Sequence, residues 1–299
     1  MASFNEGELS IKFINELLLA SMGKIHGMDT EDREYSSILA LWGYELNKNK
    51  HNIKASKKSK ASASLVIAEA DIDKEGERKW YNDAFNYWEN SEICPISDDG
   101  VLGGYGKLTP LDTRDSNVFL DAIKAQRPEL QFDVAADCGA GIGRVTKNLL
   151  LSRFKEVHLV EQSPRLLAAA PEYIGAGANE RIKCIVVGLQ DFNPEPNAYD
   201  VIWIQWVIGH LHDLDFVTFF RKCAKGLRPG GIIALKDNTT ENCTFLVDKD
   251  DSSVARHLEY IRILLRLAGL DILLEQRQRD FPEELFPVTM FALAPINSG

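Results

Sequence analysis

The pattern of apolar and polar residues after position 130 predicts strands and helices in alternation. Short apolar runs predict buried strands at 132–138, 156–161, 182–187, 199–207 and 232–236. Apolar residues at helical spacing predict helices at 143–152, 164–173 and 214–226. This alternation is typical of a parallel sheet with helices on both faces.

The last part of the chain predicts a different arrangement. A long helix is expected near 252–268, and one of the aspartates before it (Asp248, Asp250 or Asp251) is expected to cap it. Two strands follow near 270–276 and 287–294, and only residues 277–286 join them. No crossover helix fits that connection, so we expect an antiparallel hairpin at the sheet edge.

The sequence predicts that residues 1–76 form an extension to the folded domain. Apolar residues recur at helical spacing in 11–18 and in 32–46, whereas residues 48–76 are rich in Lys and Ser. Such a segment buries too little surface to offset its ordering entropy. We therefore predict a helical extension at 1–47, a flexible linker at 48–76 and a folded domain at 77–299, which begins with a helix at 77–90. Four linker residues fit a nuclear-import patch or, more commonly, a solvated linker: Lys54, Lys57, Lys58 and Lys60.

Composition narrows the classes of function. The 299 residues hold 34 Lys and Arg against 44 Asp and Glu, a net charge of −10 that argues against nucleic acid as a partner. No apolar run approaches the roughly 18–20 residues of a membrane span, and no secretory signal opens the chain. Five cysteines without a C-x-x-C pair favour a reducing compartment, cytoplasm or nucleus. His210 and His212 lack an evident third ligand, so no metal is expected.

A glycine-rich turn points to a cofactor. Residues 137–144 read Asp-Cys-Gly-Ala-Gly-Ile-Gly-Arg between a predicted strand and a predicted helix. Dinucleotide folds use G-x-G-x-x-G, but here Gly143 supplies the third glycine, which is the G-x-G-x-G spacing typical of S-adenosylmethionine (SAM) methyltransferases. Free N–H groups at the helix start suit the SAM carboxylate, and Arg144 is placed to pair with it. Glu161, at the end of the next strand, is placed to accept from the ribose hydroxyls.

Six segments together resemble the eukaryotic protein N-terminal methyltransferases. They are the glycine turn, Leu-Gly-Gly-Tyr-Gly at 102–106, Gly-Leu-Gln-Asp-Phe at 188–192, Val-Ile-Trp-Ile-Gln-Trp-Val-Ile-Gly-His-Leu at 201–211, Lys-Asp-Asn at 236–238 and Asp-Ser-Ser-Val at 251–254. The resemblance covers about residues 80–294. It implies a Rossmann-like class I SAM methyltransferase fold with a mostly parallel seven-stranded sheet. It also implies methyl transfer to the α-amine of proteins that begin X-Pro-Lys or X-Pro-Arg after removal of Met.

The resemblance assigns roles to individual residues. SAM, and its product S-adenosylhomocysteine, would be held by Gly139, Gly141, Arg144, Glu161, Leu189, Gln190, Gln205 and Trp88. The peptide would contact Leu102, Gly103, Trp206, Asp248, Ser253 and Phe286. His210 and Asp251 would manage the proton of the amine, beside Asn238. The chain departs from the family at Glu161, where Asp is usual, and at Phe286, where Tyr is usual. The first 75 residues have no expected counterpart in the family.

Two other functions stay open on the sequence. One is a small-molecule SAM-dependent N- or O-methyltransferase, and the other is an inactive methyltransferase-like scaffold that binds partners through residues 1–60. The acidic pair Asp248 and Asp251 favours a peptide substrate, and the intact cofactor residues argue against a scaffold. Because residues 1–75 contain none of the motifs, we expect them to be dispensable for turnover. Their apolar faces must nevertheless cover something, and the catalytic domain is one candidate.

Overall fold

A computed structural model describes residues 9–47 and 74–296. Its α-helices are α1 Ile11–Met22, α2 Ile38–Glu45, α3 Lys74–Glu89, α4 Asp98–Val101, α5 Thr109–Gln126, α6 Arg144–Asn148, α7 Pro164–Ile174, α8 Asp213–Gly226 and α9 Leu258–Leu267. Its strands are β1 Gly27–Asp29, β2 Glu34–Tyr35, β3 Val134–Cys138, β4 Glu156–Glu161, β5 Ile182–Val186, β6 Tyr199–Gln205, β7 Leu227–Thr240, β8 Phe245–Asp248, β9 Ser253–His257, β10 Leu270–Arg277 and β11 Val288–Pro295.

Seven of the strands form the predicted sheet, in the order β5-β4-β3-β6-β7-β11-β10. The first five are parallel, and β11 lies antiparallel between β7 and β10. Every residue of β6 is buried because helices cover both faces of the sheet, which is why the centre of this strand, 201–204, is a continuous apolar run. The predicted fold, Rossmann-like with an antiparallel closing pair, is confirmed.

Four further strands extend the sheet beyond β7. The end of β7 pairs with β9, β9 forms a hairpin with β8, and β1 and β2 complete the row. The helix predicted at 252–268 is therefore wrong in its first part. Residues 253–257 alternate between half-buried and buried, the period of a strand, and α9 starts only after them. The cap of α9 is His257, whose ring accepts the Glu259 N–H at 3.1 Å, so the predicted aspartate cap is also wrong.

The amino-terminal extension packs directly on the rest of the molecule. Ile14, Leu18 and Trp42 belong to the same buried core as residues of α8 and α9. The Trp42 indole N–H donates to the Asp213 carboxylate at 2.6 Å, and its ring meets Trp80 edge-on at 5.6 Å. The apolar faces of residues 9–47 thus cover the folded domain, which is the candidate that the sequence left open. The region predicted as one helix at 32–46 holds β2 and the shorter α2.

Residues 48–73, which include the four linker lysines, lie outside the described residues. The division into extension, linker and methyltransferase domain stays a prediction. Within residues 9–47 and 74–296, no helix combines the length and the apolar character needed to cross a bilayer.

Candidate active site

An open cleft, here called the inner cleft, lies at the carboxyl ends of β3, β4 and β6. Its walls surround about 910 Å³ of space, part of which is open to solvent. All eight residues predicted to hold the cofactor line it: Trp88, Gly139, Gly141, Arg144, Glu161, Leu189, Gln190 and Gln205.

A second cavity, the outer cavity, adjoins the inner cleft, and its walls surround about 1,020 Å³ of space, part of which is open to solvent. Predicted catalytic and peptide residues line it: Leu102, Gly103, Trp206, His210, Asn238, Asp251, Ser253 and Phe286. The inner cleft and outer cavity share Trp88, Val101, Leu102, Trp206, Val207 and His210. Asp248 is the exception, since it lines neither cavity and its Oδ1 accepts the Asp250 backbone N–H at 2.9 Å.

The glycine turn brings bare backbone to the inner cleft. Gly139 has φ +74°, and a Cβ there would lie 2.6 Å from the side chain of Val207. Both the backbone conformation and the space therefore require glycine. The Gly141 N–H donates to Glu161 Oε2 at 2.9 Å, which ties the turn to the end of β4.

Glu161 is anchored through both carboxylate oxygens. Oε2 accepts from Gly141, and Oε1 accepts the Ser163 N–H at 2.8 Å. Burial raises the pKa of Glu161, although these N–H groups act against the rise. The carboxylate keeps further acceptor positions toward the cleft, which agrees with the ribose-binding role predicted for it.

Asp112, on α5, organises one wall of the inner cleft and was missed from the sequence. Its carboxylate accepts from Arg144 Nη1 at 2.7 Å and from Gln205 Nε2 at 2.9 Å, and it pairs with Lys236. Burial alone would raise the pKa of Asp112, but the charges of Lys236 and Arg144 lower it. The sequence does indicate that Asp112 is buried, because helical spacing places it on the same face of α5 as Phe119.

This pairing changes the picture of Arg144. The sequence predicted a guanidinium that waits for the SAM carboxylate, whereas Arg144 is 5% exposed and already shares Asp112 with Lys236. Arg144 and Lys236 carry two positive charges and both pair with the single negative charge of Asp112. Net positive charge therefore remains at the wall of the inner cleft. An anionic group on the ligand would find that charge already oriented.

Trp206 stands at the junction of the inner cleft and the outer cavity in an unusual backbone conformation. Its φ is +52°, a left-handed conformation that is costly for a bulky side chain. Among the described residues its indole N–H is buried without a hydrogen-bond partner. The guanidinium of Arg144 lies 5.3 Å from its ring centroid, and the ring of Phe281 lies 6.3 Å away. Phe281 also lines the outer cavity and was missed from the sequence.

His210 is held in one tautomer by its neighbours. Its Nδ1 lies 3.1 Å from the carbonyl oxygen of Ser252, which can only accept, so Nδ1 carries the hydrogen. The Trp88 indole N–H donates to Nε2 at 3.1 Å. The lone pair that would take a proton from a substrate is therefore already engaged by Trp88.

Asp251 presents the opposite situation. Its Oδ1 is buried and has no hydrogen-bond partner among the residues that the structure describes. Burial raises the pKa of Asp251. The charge of His210 and a hydrogen bond with Ser253 act against the rise, and the carboxylates of Asp248 and Asp250 add to it. An unsatisfied acceptor at the wall of an open cavity is a place for a donor from a ligand.

Asp237, also missed from the sequence, secures the neighbourhood of Asn238. Its carboxylate accepts the N–H groups of Asn238 at 2.7 Å and Ile208 at 3.3 Å. Burial raises its pKa to about 6. These bonds join the end of β7 to the turn that carries His210.

His212 does have carboxylate neighbours that the sequence did not reveal. Its Nε2 lies 2.8 Å from Glu77 and 3.1 Å from Asp215. Burial opposes its charge, but hydrogen bonds to Asp215 and Glu77 raise the pKa of His212 to about 9. The group has the geometry of three possible metal ligands, and its distances are those of ion pairs. His210 is not part of it.

Comparison with known proteins identifies the family. The family model described as AdoMet dependent proline di-methyltransferase matches residues 76–294. The chain belongs to this family. It is therefore a SAM-dependent methyltransferase, and the bare glycine turn and the anchored Glu161 are observations of this structure that fit that cofactor.

Two curated relatives and one solved structure resemble this methyltransferase over most of their length. The N-terminal Xaa-Pro-Lys N-methyltransferase 1 of Rattus norvegicus is 46% identical over 220 residues, covering 73% of this chain and 97% of the relative. The alpha N-terminal protein methyltransferase 1 of Dictyostelium discoideum is 42% identical over 271 residues, covering 89% and 90%. A SAM-dependent methyltransferase of Leishmania major superimposes with TM-score 0.74 at 30% identity, covering 98% of this chain and 100% of that chain.

These matches correct the expectation that the first 75 residues lack a counterpart. The family model starts at residue 76, but a match over 89% of the chain must enter the first 75 residues. The Leishmania major structure covers nearly the whole chain. The extension of this methyltransferase is thus shared with some of its relatives.

Proposed function

We propose that this methyltransferase modifies the α-amine of proteins that present Pro second and Lys or Arg third after removal of Met. Its family and its curated relatives make it a SAM-dependent protein N-terminal methyltransferase, and the name of the rat relative specifies Xaa-Pro-Lys. One observation carries the proposal: Trp206, with its flat aromatic ring, and Asp251, whose buried Oδ1 has no partner among the described residues, line the same outer cavity.

SAM, when bound, supplies a methyl group on a sulfonium that is already a good leaving group. The residues of the chain must therefore hold two reactants in line and keep water away. The glycine turn, Glu161 and Arg144 are placed to hold the cofactor in the inner cleft. The shared wall with Leu102, Trp206 and His210 is where the two reactants would meet.

We assign removal of the amine proton to Asp251. An α-amine has a pKa near 7.7–8.0, well below the 10.4 of a lysine side chain, so it is the easier amine to neutralise. Burial raises the pKa of Asp251, which makes its Oδ1 a better proton acceptor than an exposed carboxylate. His210 instead holds the Ser252 carbonyl, so its first role is to position the turn that carries Asp251.

The remaining contacts suit the second and third residues of the peptide. Proline is apolar and rigid, and the rings of Trp206 and Phe281 together with Leu102 offer it an apolar surface. For the third residue, the carboxylates of Asp248, Asp250 and Asp251 lie in one turn beside the outer cavity. This turn gives a Lys or Arg side chain an acidic rim.

Short peptides test the proposal. The enzyme and SAM are incubated with Ala-Pro-Lys, Ala-Ala-Lys, Ala-Pro-Glu and acetylated Ala-Pro-Lys peptides, and the mass of each product is measured. We expect methyl groups on Ala-Pro-Lys alone, and the mass reports how many are added. Equal reaction of Ala-Ala-Lys, or methylation of the acetylated peptide, would contradict the proposal and favour a different amine substrate.

We further propose that the enzyme works in the cytoplasm or nucleus on protein amino termini, without a nucleic-acid or membrane partner. The net charge of −10 opposes binding to a polyanion. All five cysteines are free, and three of them are buried, which suits a reducing compartment. Fluorescence imaging of the tagged full-length chain tests the compartment, and secretion would contradict it.

A further inference from the structure

The turn between β8 and β9 carries three acidic groups, Asp248, Asp250 and Asp251, beside the outer cavity. We call residues 248–252 the acidic turn. On one side His210 Nδ1 holds it through the Ser252 carbonyl at 3.1 Å. Asp251 faces the outer cavity from this turn. The contacts on the other side of the acidic turn therefore also determine where the Asp251 carboxylate lies in the outer cavity.

The amino-terminal extension fixes the backbone on that other side. Strand β1 lies parallel to β8, with Asp29 opposite Val247. The Thr30 N–H donates to the Val247 carbonyl at 3.0 Å, and the Lys249 N–H donates to Thr30 Oγ1 at 3.1 Å. The extension thus reaches the first residues of the acidic turn by main-chain contacts.

A lysine in the middle of the acidic turn is drawn into the extension. Lys249 lies between Asp248 and Asp250, and its Nζ is 2.6 Å from both carboxylate oxygens of Glu45 in α2. The Glu45 side chain is fully buried, and that of Lys249 is 14% exposed. Tyr35, on β2, donates to Glu45 Oε1 at 2.8 Å, which fixes the carboxylate in turn.

This ion pair has an electrostatic consequence for the substrate. An unbound Lys249 ammonium could reach the carboxylates on either side of it in the chain. It would then compete with a cationic substrate residue for Asp248, Asp250 and Asp251. Because Glu45 holds that ammonium inside the extension, the acidic turn keeps its negative charge for the ligand.

We propose that Glu45 is a positioning residue for substrate recognition: it withdraws Lys249 from the acidic turn, so that the turn is free to bind the basic third residue of the peptide. This inference rests on the proposed function. It gives the extension a role in specificity, where the sequence had predicted that residues 1–75 are dispensable.

The decisive experiment is a set of full-length variants assayed with Ala-Pro-Lys and Ala-Pro-Gln peptides. For Glu45→Gln we expect KM for Ala-Pro-Lys to rise about tenfold, with kcat and SAM affinity nearly unchanged. KM for Ala-Pro-Gln should move little, because that peptide lacks the cation. Adding Lys249→Met to Glu45→Gln removes the released ammonium, so KM should return toward the wild-type value.

Two controls separate recognition from folding. Asp200→Asn breaks an ion pair with Arg228 at the amino ends of β6 and β7, away from the carboxyl ends that form the site, so it should lower the melting temperature without changing KM. Lys249→Gln removes the cation without releasing it, and its KM should not exceed that of the wild type. This second variant keeps the test decisive if Glu45→Gln fails to fold.

The outcomes are distinct. An unchanged KM in Glu45→Gln, no recovery in the double variant or a raised KM in Lys249→Gln would overturn the inference and leave Glu45 a purely structural anchor. Wild-type turnover of Ala-Pro-Lys is measured first, and its absence would instead contradict the proposed function.

Discussion

The inner cleft and the outer cavity share a wall but differ in how their polar groups are satisfied. In the inner cleft, Glu161 accepts two backbone N–H groups, and Arg144 and Gln205 are bound to Asp112. In the outer cavity, Asp251 Oδ1 is buried without a partner among the described residues, and so is the indole N–H of Trp206 on the shared wall. The cofactor side is organised before any ligand arrives, and the peptide side is completed by the ligand.

This difference has an energetic meaning. A buried polar atom without a partner costs about 1–3 kcal/mol. A ligand that supplies the missing bond recovers that cost, and a ligand without the matching group does not. The left-handed backbone of Trp206 adds a further free-energy cost to the enzyme without its ligand. Specificity should therefore depend on the outer cavity more than on the inner cleft.

The largest effect is expected at Asp251. Asp251→Asn removes the proposed proton acceptor, so kcat should fall about 10²–10⁴-fold, while SAM affinity measured by calorimetry stays close to that of the wild type. Asp250→Asn makes the same charge change at an exposed position outside the outer cavity and should lower kcat only slightly. Similar losses in both variants would reduce Asp251 to one charge among several.

A double variant sharpens the same point. His210→Asn should lower kcat less than Asp251→Asn, because His210 acts through the Ser252 carbonyl. Since His210 acts by positioning the turn that carries Asp251, the double variant should lose less than the product of the two single losses. A fully multiplicative loss would show that the two residues act independently.

The next effect concerns the inner cleft. Gly139→Asp forces a side chain into a left-handed position against Val207, and its charge repels the SAM carboxylate, so SAM affinity should fall about 100-fold. The same change at Gly177, where a Cβ meets nothing within 4 Å, is the matched control. Calorimetry on folded samples decides, and equal affinities would move the cofactor away from this turn.

A pH titration of stability probes the buried carboxyl beneath the glycine turn. Burial raises the pKa of Asp137 to about 6, while its carboxylate accepts from Thr146. A raised pKa means that the folded state is favoured while the group is protonated, so this contribution is lost as pH rises from about 4 to 6. The loss should be about 1–3 kcal/mol. The Asp137→Asn variant should lack this slope in denaturant melts, and a parallel slope would contradict the assignment.

The smallest effect is expected at Trp206. Trp206→Phe keeps an aromatic ring and removes the unpartnered indole N–H, so KM for Ala-Pro-Lys should rise about fivefold. SAM affinity serves as the internal control, because the same ring also lines the inner cleft. A larger change in SAM affinity than in KM would contradict the expectation that Trp206 serves the peptide in the outer cavity more than the cofactor in the inner cleft.

The sheet was predictable because its central strands are buried on both faces. Apolar residues therefore dominate β3, β4 and β6, and four of them follow one another at 201–204 in β6. Strand β9 was not predictable, because its short alternation of buried and half-buried residues runs directly into helix α9. The hairpin of β1 and β2 has only three and two residues, too few to show any period.

The site divides in the same way. Gly139 and Glu161 follow buried strands, so their place in the sheet already indicates their location. The partner of Arg144 is Asp112, 32 residues earlier, and Glu45 meets Lys249 across 204 residues. Such pairs depend on tertiary packing, which no local pattern reports. The sequence predicted the apolar helix faces of the extension, but it did not predict which residues those faces cover.

The pairing of β1 with β8 also sets an order of events during synthesis. His26 donates to Thr244, 218 residues further along the chain, so the first strand made waits for one of the last. At about 5–20 residues per second, the ribosome needs roughly 10–45 s to close that interval. Until then the apolar faces of α1 and α2 have no partner in β8 or α9, and a nascent-chain chaperone would find its binding site there. The acidic turn of the newly made enzyme therefore forms late, after every residue that lines the inner cleft has been synthesised.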